Sequence, residues 1–153
     1  TFSMDNFIKE MDEAMVQLCN CRELVEKKRR DYGIGIEMLP REIHLLEVVA
    51  NHPKLNAYEL SVKTSLWKGT FSKVANRLVE MGLLERYQNE DNHKEIFYRV
   101  TPLGQNAYEG HYQFHQRVSL NTYEYFRNLD QRERDIILQF VSHYTSYLQE
   151  YLK

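Results

Sequence analysis

The sequence predicts a mostly α-helical chain with one small β-hairpin, and three observations support this fold class. Apolar residues recur at helical spacing through most of the 153 residues. Two β-rich runs, at 83–87 and 95–101, flank a polar stretch that contains Asn and Asp, which is typical of a hairpin. Glycines and prolines stand singly where these elements would end, as at Gly33, Gly82 and Pro102.

The two N-terminal helices follow from apolar stripes and the residues that interrupt them. The first helix is predicted from about Met4 to Tyr32, before Gly33 and Gly35. Its apolar stripe comprises Phe7, Met11, Ala14, Leu18, Cys21 and Val25. The second helix is predicted from Arg41 to about Asn51. Its inward face comprises Ile43, Leu45, Leu46 and Val49.

Residues 60–82 predict a helix, a turn and a second helix whose outer face is polar and basic. The residues that would face the core are Phe71, Val74, Leu78 and Met81. The opposite face comprises Lys68, Ser72, Lys73 and Asn76, with Thr70 and Arg77 on its flanks. Between Leu60 and Val79 the sequence has four basic residues and no acid. Because such side chains donate hydrogen bonds to phosphates and base edges, this helix suits the major groove of DNA.

The hairpin that follows Gly82 would form a wing, which can reach phosphates beside the groove. Its basic residues are Arg86, His93, Lys94 and Arg99. Gly82 itself suits a left-handed cap at the end of the preceding helix.

Two further helices are predicted, from Pro102 to about Asn128 and from Asp130 to about Leu152. Residues 130–133 have the pattern of a capping box. The apolar face of the last helix comprises Ile136, Ile137, Phe140, Val141, Tyr144, Leu148 and Tyr151. A face this wide on one helix of a small chain indicates that part of it is buried against a partner.

Five segments, in order and at matching spacing, resemble the MarR family of winged helix-turn-helix transcription regulators. They are LPREIH at 39–44, YEL at 58–60, KGTFS at 68–72, GLLER at 82–86 and TPLG at 101–104. The sequence departs from the family at Trp67, where Ser or Thr is usual, and at residues 92–94, which replace the usual Asp-Arg-Arg wing tip. The resemblance implies a single subunit over 1–153, a DNA-binding lobe over 36–101, and dimerisation helices over 1–35 and 102–153. It also implies a homodimer that acts as a ligand-responsive repressor on a pseudo-palindromic operator in double-stranded DNA.

The expected DNA contacts fall into three groups. Side chains that would read base edges or adjacent phosphates are Thr70, Ser72, Lys73 and Asn76. Side chains that would anchor phosphates are Lys68 and Arg77. Side chains that would brace the wing or enter the minor groove are Arg86, His93 and Lys94.

Family members usually hold effectors between the winged lobe and the dimerisation helices, and the lining expected here is mostly apolar. It comprises Leu18, Cys21, Leu46, His111, Phe114, His115 and Val118. This chemistry suits a small apolar or acyl effector. The register of the histidine pair on the fifth helix also resembles that of the family's repressors of fatty-acid synthesis. The prediction is therefore that no cofactor is bound. The alternative is Zn²⁺ held by His44, His111 and His115, which would make the chain a zinc-responsive repressor.

Composition and motifs argue against several other functions. The net charge of −2 gives no general attraction to nucleic acid, so the prediction of DNA binding depends on local charge asymmetry. The sequence has no nucleophile–base set and no phosphate-binding loop, so an enzyme is not expected. It has no long apolar run and no visible secretion signal, so we expect no membrane partner. Two cysteines, Cys19 and Cys21, favour a reducing cytoplasm and are expected to pack rather than to sense oxidants. A helical interaction module without DNA binding is the remaining alternative.

Overall fold

The computed structural model describes residues 2–118 and 120–153, and their side chains over 6–118 and 121–153. The elements, in chain order, are α1 (Phe2–Glu26), β1 (Arg30–Asp31), β2 (Glu37–Met38), α2 (Pro40–Asn51), α3 (Ala57–Thr64), α4 (Lys68–Glu80), β3 (Leu84–Asn89), β4 (Asn92–Val100), α5 (Pro102–Val118), α6 (Leu120–Arg127) and α7 (Gln131–Glu150). The predicted fold class is confirmed. The short antiparallel pair β1–β2 was not predicted.

The first helix ends at Glu26 and not near Tyr32, so its predicted end was wrong. The reason is a tight turn organised by Asp31, whose carboxylate accepts the backbone N–H groups of residues 33, 34 and 35 at 2.9 to 3.1 Å. Gly33 and Gly35 have φ angles of 91° and 77°, which residues that carry a Cβ rarely adopt. This turn sets β1 against β2 and places Tyr32 in the core.

The segment from α2 to β4 contains most of the buried core. Its fully buried apolar side chains include Ile43, Leu45, Leu46, Leu60, Leu78, Leu83 and Leu84. Two helices in it begin with acidic side chains that return to the backbone. Glu42 accepts the N–H of Leu39 at 3.0 Å, and Asn56 and Glu59 form a reciprocal capping box. These caps fix where α2 and α3 start.

The hairpin is joined tightly to α4 and α5. Gly82 has a φ angle of 73°, which confirms the predicted left-handed cap after α4. The Thr101 hydroxyl donates to the carbonyl of Gly82 at 2.6 Å. A Cβ at Gly104 would lie 2.2 Å from the carbonyl oxygen of Leu83, so α5 can begin this close to the hairpin only with glycine there.

Residues up to 114 form one compact unit, and residues 115–153 form a second. In the second unit, Asp130 and Glu133 make the predicted capping box at the start of α7, with both hydrogen bonds at 2.8 Å. The fifth predicted helix corresponds to α5 and α6, with residue 119 outside the described residues. Within the described chain, α7 buries none of its side chains. Among the described residues, no helix is both long and apolar enough to span a membrane.

Candidate nucleic-acid interface

The outer face of α4 is exposed over the residues that the spacing predicts. Lys68, Ser72, Lys73 and Asn76 are exposed, and Thr70 is half-buried. On the inner face, Phe71, Val74 and Leu78 are buried and Met81 is half-buried. Packing of the inner face against the core therefore holds the polar face outward.

This outer face continues into a cleft of about 410 Å³ between α3, α4 and the hairpin. Five of the nine predicted DNA-contact residues line it. They are Lys68, Ser72 and Asn76 from α4, and Arg86 and Lys94 from the hairpin. The structure thus brings the helix and the wing to one surface, although they are separate in sequence.

Polar residues of α3 and β4 also line the cleft, and sequence analysis did not include them. The Asn56 side chain donates to Glu95 Oε1 at 2.8 Å and so ties the start of α3 to the wing. Tyr58 and Ser61 line the same cleft, and Tyr58 is 74% exposed. The Asn56–Glu59 capping pattern could have located the start of α3. No sequence signal pairs Asn56 with Glu95, 39 residues away.

Arg77 has a contact that its predicted role did not include. Its Nε donates to Glu42 Oε1 at 2.7 Å, and the Glu42 side chain is only 2% exposed. The second oxygen of Glu42 accepts the N–H of Leu39. A buried carboxylate needs a cation and hydrogen bonds to compensate for lost hydration, and Arg77 supplies the cation. The ion pair of Arg77 with Glu42 therefore joins α4 to α2, and the phosphate contact expected of Arg77 stays a prediction.

The wing tip presents exposed His93 and Lys94 on a turn organised by neighbouring side chains. Asn92 Oδ1 accepts the N–H of Lys94 at 3.0 Å, and Gln88 donates to the carbonyl of His93 at 2.6 Å. Arg86 pairs across the hairpin with Tyr98. Burial raises the pKa of the Tyr98 hydroxyl, and the nearby Arg86 charge acts in the opposite direction. The wing therefore offers two cationic side chains, Lys94 next to its ordered turn and Arg86 nearer its base on β3.

A second polar cluster lies away from the cleft, where α5 packs beside β1. His111 is buried, and its Nδ1 lies 2.5 Å from Glu47 Oε1. The Tyr32 ring meets His111 edge to face at 4.9 Å and Phe114 at 5.8 Å. Burial raises the pKa of Tyr32, with Arg30 lowering it and Glu47 raising it further.

The residues expected to line an effector pocket are placed very differently from one another. Leu46 and His111 are buried, and Phe114 packs against the core. The other four residues expected in the pocket are exposed in the single chain: Leu18, Cys21, His115 and Val118. Leu46 and His111 can line an enclosed effector pocket only if residues other than the four exposed ones form the rest of its wall.

The histidines do not fit the zinc alternative in this arrangement. Among the described residues, no three His, Cys, Asp or Glu side chains are grouped so that they could hold a metal ion. His44 is exposed, while His111 faces the carboxylate of Glu47. Cys19 and Cys21 are both exposed in the single chain, so the predicted packing of these cysteines is not seen there.

The sequence of this chain is similar to those of curated transcriptional regulators. The HTH-type transcriptional regulator PchR of Bacillus subtilis is 26% identical over 107 residues, which cover 70% of this chain and 63% of PchR. A second B. subtilis regulator, YhjH, is covered over 59% of its length, so the chain spans about three-fifths of these curated relatives.

Solved structures share the fold over nearly the whole chain. FabT of Streptococcus pneumoniae, solved in complex with DNA, has a TM-score of 0.66 and 17% identity, and 95% of this chain and 99% of FabT are covered. ZitR of Lactococcus lactis, a zinc-responsive MarR family member, has a TM-score of 0.67 and 15% identity with the same coverage. Residues 39–96, which contain α2, α3, α4 and most of the wing, match the family model for MarR. The winged helix-turn-helix segment of this chain is thus similar to the MarR family, and the solved structures share its fold.

Proposed function

We propose that the chain is a homodimeric regulator of transcription that binds double-stranded DNA in the cytoplasm and represses by occluding a promoter. One observation carries this proposal. The exposed, basic face of α4 is continuous with a cleft that reaches the cations of the wing. In the MarR fold these two elements form the DNA-binding lobe, here residues 36–101.

The local distribution of charge supports DNA binding, although the net charge of the whole chain is −2. Lys63, Lys68, Lys73 and Arg77 follow one another without an intervening acid between Leu60 and Val79. Phosphate contacts provide most of the sequence-independent affinity for DNA, and they act locally because salt screens charges beyond about 10 Å. A local basic surface is therefore sufficient, even on a chain that is slightly acidic.

The exposed polar and basic side chains of α4 and the wing have chemistry that matches DNA contacts. Ser72, Lys73 and Asn76 can donate to base edges, and Asn can form two hydrogen bonds with adenine. Lys68 stands at the start of α4, where the helix dipole also favours a phosphate. Arg86 and Lys94 extend the cationic surface to the wing.

Unburied apolar surface supports the dimer. The 20 residues of α7 bury no side chain within the described chain, and its exposed apolar residues include Ile136, Ile137, Leu138, Val141, Tyr147 and Leu148. In α1 the exposed apolar residues include Phe7, Ile8, Val16, Leu18 and Leu24. Exposed apolar side chains in this number on each of two helices indicate a protein interface. We infer that residues 1–35 and 102–153 pair two subunits and set their α4 helices about 34–36 Å apart on successive major grooves.

The test combines a gel shift with sedimentation. The probe is a duplex from the region upstream of the chain's own gene, at stated salt, with a scrambled duplex of equal length as the control. We expect a dimer at micromolar concentration and retardation of the specific duplex alone. A monomer that retards neither duplex would contradict the proposal and would favour the interaction-module alternative.

For the signal, we propose a small apolar or acyl effector bound next to Leu46, His111 and Phe114. The support is the chemistry of these residues, which combine apolar walls with the polar His111–Glu47 pair. Native mass spectrometry of the purified chain should detect a bound acyl species and no zinc. Addition of a long-chain acyl compound should change the gel shift, while a chelator should leave it unchanged. Bound zinc together with chelator-sensitive DNA binding would contradict this proposal.

A further inference from the structure

Trp67 occupies the residue that starts the recognition helix, and its side chain is turned to solvent. It is 86% exposed, with the extended backbone of an N-cap residue at φ −58° and ψ 143°. N-cap positions favour Ser, Thr, Asp and Asn because these side chains accept N–H bonds from the first helical turn. An indole has no acceptor for this purpose. Within the described chain Trp67 makes no side-chain cap bond, so helix initiation does not explain it.

The surroundings of Trp67 combine one cation with polar and apolar side chains. With Ser61, Val62, Ser65, Leu66 and Lys68 it lines a shallow depression of about 330 Å³ beside the cleft already described. Lys63, four residues before Trp67 in the last turn of α3, and Lys68 are both exposed. A large exposed ring in a chain segment that has basic residues and no acid between Leu60 and Val79 complements a polyanion that also presents apolar groups. Duplex DNA has this combination, because the C5 methyl of thymine projects into the major groove.

We propose that Trp67 is a specificity-determining residue whose indole packs on the C5 methyl of a thymine in each half-site. The proposal rests on the DNA-binding function proposed above and names a further contact within it. The start of a recognition helix is the part that meets base edges, so the position of Trp67 suits such a contact. A rigid aromatic ring gives a large contact area with little loss of side-chain freedom. The indole N–H remains free to donate to a neighbouring phosphate oxygen.

The chain provides its own reporter, because Trp67 is its single tryptophan. The first experiment measures quenching of its fluorescence by acrylamide, with and without a saturating amount of the retarded duplex. We expect the quenching constant to fall at least twofold in the complex. A retarded complex in which Trp67 stays as accessible as in the free protein would overturn this inference and leave the proposed function intact. A chain that retards no duplex would overturn both.

The second experiment removes the methyl group from the DNA. Thymines within the footprint are replaced by deoxyuridine, and a duplex with the same replacements outside the footprint is the control. Loss of one buried methyl in each of the two half-sites should weaken binding of the proposed dimer about fifteenfold. The variant Trp67→Ser restores a capping residue and should fold, as a melting curve will verify. We expect it to bind more weakly and to be insensitive to deoxyuridine. Equal sensitivity of the wild type and Trp67→Ser to deoxyuridine would overturn the proposed contact.

Discussion

Replacing Arg77 with alanine should destabilise the protein, because it leaves the buried carboxylate of Glu42 without its cation. Removing one partner of a fully buried ion pair costs about 3–5 kcal/mol. Here Glu42 is 2% exposed but Arg77 is 47% exposed, so water can reach one side of the pair. Glu42 also keeps its hydrogen bond from Leu39. We therefore expect a loss of about half that range, roughly 1.5–2.5 kcal/mol, or about 4–8 °C in Tm for a chain of this length.

The measurement is urea denaturation at a fixed protein concentration, since the stability of a dimer depends on concentration. Glu42→Gln serves as the matched variant because it removes the charge and keeps an acceptor for the N–H of Leu39. The double variant should lose less than the sum of the single variants, with a coupling energy of about 1 kcal/mol or more. A loss below about 0.5 kcal/mol for Arg77→Ala, or strictly additive effects, would refute the reasoning.

DNA binding distinguishes a positioning role of Arg77 from a phosphate contact. A phosphate contact that is lost lowers the slope of log affinity against log salt by about 0.9. If Arg77 acts through Glu42 to hold α4, Arg77→Ala should weaken DNA binding with the salt slope unchanged. Glu42→Gln, which contacts no phosphate, should then weaken binding in the same way. A reduced slope in Arg77→Ala alone would assign Arg77 to the DNA backbone.

Three further outcomes are expected. Lys73→Ala should weaken operator binding more than Lys94→Ala in gel shifts, since Lys73 lies on the recognition helix; equal losses would contradict this order. Ile137→Asp should shift sedimentation from dimer to monomer by placing a charge in the apolar surface of α7, whereas an unchanged dimer would exclude that surface. Burial raises the pKa of Tyr98 in the folded chain. The contribution of its neutral hydroxyl to the free energy of unfolding is therefore complete below about pH 10 and is lost as pH rises through the folded-state pKa. Tyr98→Phe should therefore flatten the alkaline decline in urea stability, and an unchanged decline would contradict this assignment.

The sequence was sufficient wherever structure depends on local periodicity or capping. The inner face of α4 is buried as its spacing predicts, and the capping box at Asp130 forms. The end of α1 was wrong because the basic residues at 27–30 are good helix formers. A local turn around Asp31, whose carboxylate accepts three backbone N–H groups two to four residues ahead, overrides that propensity.

The contacts that shape the interface could not be predicted, because they join residues far apart in the sequence. Glu42 and Arg77 are separated by 35 residues, Asn56 and Glu95 by 39, and Glu47 and His111 by 64. Residue pattern identifies which side chains are polar and on which face they lie. It does not indicate which carboxylate will be buried, so the ion pair between Arg77 and the buried Glu42 could not be predicted.

These long-range contacts also restrict how an effector could control DNA binding. Glu42 joins α2 to α4, and Asn56 joins α3 to the wing. These polar contacts hold α4 and the wing in place within the DNA-binding lobe. We expect a small ligand bound elsewhere to leave them intact. A ligand changes DNA affinity only by its differential binding to two states of the protein. With α4 and the wing held together, we expect the two states of the proposed homodimer to differ in the separation of their α4 helices. Hence a variant that loosens Glu42–Arg77 should bind DNA less tightly with or without effector, while the ratio of the two affinities stays the same.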